Sequence, residues 1–229
     1  MKKLLLASIA AISFSATDAG AQSVSGEVDL FEMHLGKGDD HFVFDATLEA
    51  GGERHGITLK TEGGSDVGPR ISDVTVQALY TFRPAEGTSL MAGVRHDIRS
   101  GADLSYGVVA IVQDIGEIAS AEHFLNVSEH GDVTGAATVV VGLPLMPALT
   151  LEPRASLGWS AQFVPEEEIG SGVTDVELSV RLRREIGPLF NVYVGAIHER
   201  LVGDTRRIAL ANGDRGHVNR AVIGAGLAF

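Results

Sequence analysis

The strongest constraint on this chain is the pattern of its last thirteen residues, His217 to Phe229, taken together with its N-terminus. This segment alternates apolar residues with small or polar ones and ends on Phe229. A period of two is typical of a strand that presents two different faces. Because the N-terminus carries an export signal, a two-faced terminal strand predicts a transmembrane β-barrel in an outer membrane.

The export signal comprises Met1-Lys2-Lys3, an apolar run from Leu4 to Ala16, and the small-residue site Ala19-Gly20-Ala21. A basic start, a short apolar core and a small-x-small site are the parts of a cleavable secretory signal. We therefore predict a signal peptide over residues 1–21 and one barrel domain over 22–229. The chain has no cysteine, which excludes thiolate metal sites.

The sequence argues against a spanning helix. The best later apolar run, Val139 to Leu151, is short and is interrupted by Pro144 and Pro147. The formal net charge is −12 and becomes −13 once Lys2, Lys3 and Asp18 leave with the signal. This balance disfavours nucleic acid and favours cations. Composition alone is also compatible with a soluble β-sandwich.

Alternating segments bounded by Gly, Pro, Asp and Ser predict an all-β, antiparallel up-and-down barrel of about twelve strands. An even number places both termini on the periplasmic side, with short turns at Pro84 to Gly87, at Gly116 and at Gly187-Pro188. The predicted strands are 26–35, 41–50, 54–62, 72–83, 87–98, 104–114, 118–128, 132–142, 148–162, 173–185, 189–200 and 217–229. The longer connections, 63–71, 163–172 and 202–216, are predicted to be extracellular.

Strand 173–185 separates the two faces most clearly. Its apolar residues from Val176 to Leu182 alternate with charged or polar ones. Charges on the lipid-facing side would be costly, so they are expected to point into the lumen. Aromatic residues near strand ends are expected in the interface girdles. These are Tyr80, Phe82, Tyr106, Trp159, Phe190 and Phe229.

Inward charges along the whole chain predict a salt-bridged network across the lumen. Two interpretations stay open: a structural network that fills the pore, or a path or binding site for cations. The predicted network comprises Asp45, Glu49, Lys60, Glu62, Gln77, Arg95, Asp97, Glu122, Glu152, Arg154, Asp175, Glu177, Arg181, Arg183 and Glu199.

An ordered set of short segments resembles the outer-membrane copper resistance protein B family over about Ile57 to Phe229. The segments are Leu59-Lys60-Thr61-Glu62-Gly63, Asp73 to Tyr80, Ala92 to Arg99, Leu151-Glu152-Pro153-Arg154-Ala155, Ile169-Gly170-Ser171-Gly172, Glu177 to Arg183, Tyr193-Val194-Gly195, Glu199-Arg200 and Gly203-Asp204-Thr205.

The resemblance implies a monomeric outer-membrane barrel that acts in copper resistance or homeostasis without catalysis, alongside periplasmic copper-handling proteins. It supports the matched lumen residues, such as Lys60, Glu62 and Arg95. Family members often carry a Met- and His-rich segment before the barrel. This chain departs from that pattern, because its signal leads almost directly into the first strand. We therefore expect copper ions to meet imidazole and carboxylate ligands, which suit Cu(II).

The first hairpin is the candidate metal site. Pairing across Gly36-Lys37-Gly38-Asp39 places His34 opposite His41, with Glu32 and Asp45 as expected neighbours. Two imidazoles and carboxylates can bind Cu(II) or Zn(II). The alternative is an ordinary polar hairpin end.

An outer-membrane barrel can also be a hydrolase or a passive pore. An outer-membrane hydrolase would need an outward Ser/His pair, and the sequence has none in a recognisable motif. A passive pore or structural barrel without copper specificity is the main alternative.

Overall fold

The computed structural model describes residues 23–36, 40–65 and 71–229, and nearly all of them are strands. Within these ranges a one-turn 3-10 helix covers Pro165–Glu167 and one α-helix, α1, covers Gly203–Asn212. The strands are β1 (Ser23–Gly36), β2 (His41–Gly51), β3 (His55–Ser65), β4 (Asp73–Ala85), β5 (Thr88–Ile98), β6 (Leu104–Ile115), β7 (Ala119–Ser128), β8 (Val133–Val141), β9 (Leu143–Met146), β10 (Leu149–Ser160), β11 (Gly172–Ile186), β12 (Phe190–Leu201) and β13 (His217–Ala228).

The strands close into a barrel. Successive strands pair antiparallel around the sheet, and β13 pairs with β1. Short β9 continues β8 after a break at Gly142, and both pair with β10. They therefore occupy one barrel position, and the predicted twelve-stranded antiparallel barrel is confirmed.

The closing seam joins the two ends of the described chain. Gly26 and Phe229 exchange two backbone hydrogen bonds of 2.9 Å. The Phe229 ring covers Gly26 so closely that a Cβ there would lie 2.5 Å from the ring. Both ends consequently lie at the same end of the barrel, which is the periplasmic end in outer-membrane barrels.

Glycines make the tight turns at that end. Gly87, Gly116 and Gly187 have φ values of 68°, 67° and 76°. Positive φ is strained for residues with a Cβ, so glycine is favoured there. These are the turns that the sequence predicts.

The outer wall is apolar, as predicted from strand 173–185. Leu178, Val180 and Leu182 on β11 are exposed outward, whereas Ser179 and Arg181 between them are buried inside. Because an apolar surface faces outward and charges face inward, the wall fits a bilayer and encloses a polar lumen.

The structure departs from the sequence pattern at Tyr106 and in connection 202–216. Tyr106 was expected in an interface girdle; that is wrong, because its side chain is only 5% exposed and lies inside the barrel. Connection 202–216 contains α1, which the strand pattern did not predict. The signal peptide, turn residues 37–39 and loop residues 66–70 lie outside the described residues.

No helix in the described ranges is long and apolar enough to cross a membrane.

The charged lumen as candidate functional site

The periplasm-facing half of the lumen contains a cavity of about 580 Å³. Phe229 and Ala228 at the barrel end belong to its lining. Two basic side chains also line it, Lys60 and Arg154. The six carboxylates in its wall are Glu27, Asp29, Asp45, Glu49, Glu122 and Glu152. This excess of negative charge favours cations in the cavity.

A β-bulge in β1 creates part of this acidic wall. The register of β1 shifts between Val28 and Leu30 against β2, and between Val28 and Phe31 against β13. A bulge changes the face to which later side chains point. Asp29 in the bulge and Glu32 after it, three residues apart, consequently both point into the lumen.

Asp29 belongs to a four-residue ion-pair cluster. Arg154 Nη1 lies 2.7 Å from Asp29 Oδ2, and Arg154 Nη2 lies 2.7 Å from Glu152 Oε1. Arg183 Nη2 lies 3.0 Å from Asp29 Oδ1 and 3.2 Å from Glu152 Oε1. The cluster links β1, β10 and β11 across the lumen, and its two arginines neutralise its two carboxylates.

A second, fully buried pair crosses the lumen above the cavity. Arg181 donates to both carboxylate oxygens of Glu32, over 3.0 and 2.7 Å, and to Ser179 Oγ over 3.0 Å. His34 Nε2 lies 2.7 Å from Glu32 Oε1. Glu32 and Arg181 are 1% and 2% exposed. β12 and β13 lie between the strands that carry Arg181 and Glu32. The two side chains therefore fill the part of the lumen that lies in front of β12 and β13.

Lys60 is the main cation on the opposite wall. Its Nζ lies 3.6 Å from Glu122 Oε2 and 4.9 Å from the centre of the Phe124 ring. Asp45 and Glu62 lie near the same ammonium group but form no salt bridge in the described part of the chain. One ammonium group therefore faces three carboxylates.

Apolar side chains fill the sector between β4 and β7. Leu79, Met91, Tyr106 and Val108 are buried against one another inside the barrel. Two amides, Gln77 and Asn126, are also buried inside the barrel. Apolar and amide side chains thus occupy much of this sector, which also contains the Arg95–Asp97 ion pair on β5.

The extracellular mouth is covered by the connection between β10 and β11. Val164 in it is buried, and Glu167 accepts a hydrogen bond from Tyr106 Oη and lies 4.0 Å from Arg99 Nη1. Thr205 of α1 accepts a hydrogen bond from the Gly170 amide, 2.9 Å away. This segment reaches across the mouth to β6 and is supported by α1.

Of the four residues predicted as a metal site, Glu32 and His34 are in contact over 2.7 Å, and Asp45 lies apart from them. His34 and His41 are register partners, as predicted from the sequence. Glu32, however, is occupied by Arg181, and Asp45 lines the lower cavity. Among residues 23–36, 40–65 and 71–229, no group of three or more His, Asp or Glu side chains is arranged to hold a metal ion.

The remaining network residues form smaller contacts. Arg95 and Asp97 form a bidentate pair with distances of 2.7 and 2.8 Å, and Glu199 lies 3.6 Å from Arg220. Asp175 accepts a hydrogen bond from Thr174 over 2.6 Å. Glu177 forms no salt bridge among the described residues.

Sequence reasoning missed lumen residues on β1 and in the connection between β10 and β11. Glu27 and Asp29 were not recognised because the bulge changes the facing of β1. The spacing of Asp29 and Glu32, three apart in a two-residue period, was the available signal. Glu167 lies in a connection, where no periodicity indicates which way a side chain points.

A closed barrel with an apolar wall, a charged lumen and a segment across its mouth defines a porin-like outer-membrane protein. The fold is similar to KdgM porin (TM-score 0.52, 12% identity, 90% of this chain and 99% of that one) and to NanC porin (TM-score 0.58, 12% identity, 88% and 98%). The chain belongs to the copper resistance protein B family, whose model, described as "Copper resistance protein B precursor (CopB)", matches residues 23–229.

Two relatives support this family assignment. The Copper resistance protein B homolog of Pseudomonas syringae pv. tomato is 27% identical over 78% of this chain. Copper resistance protein B of Escherichia coli is 26% identical over 88% of it. The matches span 60% and 68% of those two proteins' lengths.

Proposed function

We propose that this barrel binds copper ions, as Cu(II), in the acidic cavity at its periplasm-facing end and catalyses no reaction. Family membership links the chain to copper resistance, and the cavity supplies an excess of carboxylates. Carboxylate oxygen suits Cu(II) better than Cu(I). Periplasmic copper-handling proteins are the proposed source of the ion.

The main support for this proposal comes from the carboxylates of Glu27 and Asp45. Both line the cavity, and neither forms a salt bridge in the described part of the chain. Asp29 and Glu152, by contrast, are held by arginines. Two carboxylates that form no salt bridge there are available to a cation that arrives from the periplasm.

Passage to the exterior would require two elements to move. The buried Glu32–Arg181 pair crosses the lumen above the cavity, and the Pro165–Glu167 segment covers the mouth. The lumen therefore favours binding from the periplasmic side over free diffusion.

The first hairpin is a second proposed copper site. His34 lies opposite His41, and Nδ1 of His34 is buried with no hydrogen-bond partner among the described residues. Two imidazoles in register can contribute ligands without Glu32 and Asp45.

Calorimetric titration of the refolded barrel with Cu(II), with Zn(II) and Ca(II) as comparison ions, tests both sites. The cavity variant is Glu27→Gln with Asp45→Asn, and the hairpin variant is His34→Ala with His41→Ala. Glu86→Gln with Glu117→Gln removes the same charge from exposed periplasmic turns and serves as the matched control. All variants are first checked for folding by heat-modifiable migration.

Copper-selective binding that the cavity variant alone loses supports the proposal. If only the hairpin variant loses copper binding, the site lies at the extracellular mouth instead. No copper binding above the comparison ions would leave a passive pore or a structural barrel, and the buried, neutralised pair Glu32–Arg181 favours the structural barrel.

A further inference from the structure

A cluster of polar and basic side chains interrupts the apolar outer wall near the extracellular ends of β12 and β13. Arg200 pairs in register with His217, and His198 with Asn219. His198 Nδ1 lies 2.7 Å from Asn219 Oδ1, and the rings of His198 and His217 are 6.4 Å apart. These four side chains alternate with inward residues and therefore face the membrane.

Arg200 supplies the positive charge of this cluster. Arg200 is exposed and forms no salt bridge within the described ranges. Glu199 beside it points inward and lies 3.6 Å from Arg220. The outward neighbours on β11 are Val176 and Leu178, opposite Arg200 and His198. The neighbouring acidic residues Asp175, Glu177 and Glu199 occupy the alternating, inward positions of β11 and β12.

The cluster lies at the height of the outer-leaflet interface of the membrane. Phe190, exposed at the periplasmic end of β12, lies ten residues before Arg200. At about 3.3 Å per residue and a tilt of about 40°, ten residues rise about 25 Å, the height of the apolar band of such barrels. Arg200 thus lies at the level of the outer-leaflet headgroups.

A short apolar groove lies on the wall directly below the cluster and ends at the exposed pair Val194 and Ile223. Its floor is the register pair Ala196 and Ala221. The larger side chains of Leu178 and Val180 flank it on β11, and Leu35 flanks it on β1. The flanking strands are three strand spacings apart, about 14 Å, which leaves room for acyl chains side by side.

We propose that this surface binds the lipid A part of lipopolysaccharide. A phosphate would accept hydrogen bonds from the Arg200 guanidinium and the His217 and His198 imidazoles, and acyl chains would lie in the groove over Ala196 and Ala221. Arginine is well suited to phosphate because its planar donors bind two oxygens at once. This surface is outside the lumen and independent of copper.

The test measures binding of diphosphoryl lipid A to the refolded barrel by native mass spectrometry and by the midpoint of thermal unfolding. Phosphatidylglycerol and inorganic phosphate are tested in parallel. The head variant is Arg200→Gln with His217→Gln, and the groove variant is Ala196→Leu. Arg184→Gln, an exposed outward arginine at the periplasmic end of β11, is the matched control.

We expect the head variant to bind lipid A about tenfold more weakly or worse, because charge-assisted hydrogen bonds are lost. The groove variant should also bind more weakly, whereas Arg184→Gln should bind like the wild type. Equal binding by the head variant and the wild type would overturn the proposal. So would phosphatidylglycerol binding as tightly as lipid A, which would indicate a general anionic-lipid surface.

Discussion

Arg181 on β11 and Glu32 on β1 form a bidentate ion pair inside the barrel, with Nε to Oε2 and Nη2 to Oε1 distances of 3.0 and 2.7 Å. Ser179 and His34 complete their hydrogen bonds. A buried charge is costly unless it is paired and hydrogen-bonded, and this pair meets both conditions. It joins strands that are not neighbours and thereby braces the lumen.

Removing one partner of this pair should strongly destabilise the barrel. Arg181→Met leaves Glu32 buried without its cation, and the expected loss is about 3–5 kcal/mol in the free energy of unfolding. The measurement is urea-induced unfolding in lipid vesicles, followed by the fluorescence of Trp159, the only tryptophan.

The double variant Glu32→Gln with Arg181→Met is the control, because it removes both charges. It should recover part of the loss. A single variant no less stable than the double variant would show that the pair does not brace the lumen.

Glu167→Gln should open the extracellular mouth. The substitution weakens the contact with Tyr106 and removes the charge beside Arg99, so the Pro165–Glu167 segment loses its hold on β6. Single-channel conductance in planar bilayers should rise. Tyr106→Phe should act in the same direction, because it removes the hydroxyl donor.

Glu129→Gln is the matched control, since Glu129 is an exposed carboxylate in another extracellular connection. Its conductance should equal that of the wild type. An unchanged conductance in Glu167→Gln would mean that this segment does not close the mouth.

Lys60→Gln should increase the affinity of the cavity for Cu(II). The substitution removes the ammonium group that faces Asp45, Glu62 and Glu122, so the cavity becomes more negative. Calorimetric titration with Cu(II) measures the change.

Arg54→Gln is the control, because it removes one positive charge from an exposed turn at the same end and should leave the affinity unchanged. Weaker binding in Lys60→Gln would contradict an electrostatic role of the cavity.

Gly26→Ala should weaken the closing seam between β1 and β13. The new Cβ would lie 2.5 Å from the Phe229 ring, so the ring must leave its position over β1. Strain of this kind costs about 1–3 kcal/mol. The midpoint of urea-induced unfolding should lie at a lower urea concentration than in the wild type. Gly107→Ala is the control, because no atom lies within 4 Å of its added Cβ; equal stability of the two variants would exclude strain at the seam.

The sequence by itself determined the wall of this protein. Strand positions, the facing of residues such as Leu178 and Arg181, and the His34–His41 register all followed from a period of two and from turn glycines. These features are local, because lipid on one side of a strand and lumen on the other impose alternation on each strand separately.

Only the tertiary structure decided which inward charges meet. Arg181 pairs with Glu32, and Lys60 pairs with Glu122, across strands that are far apart in sequence. The bulge that turns Asp29 inward and the connection that brings Glu167 to Tyr106 depend on strand register and on loop packing. Periodicity reports which way a side chain faces, but its partner across the lumen is set by barrel closure.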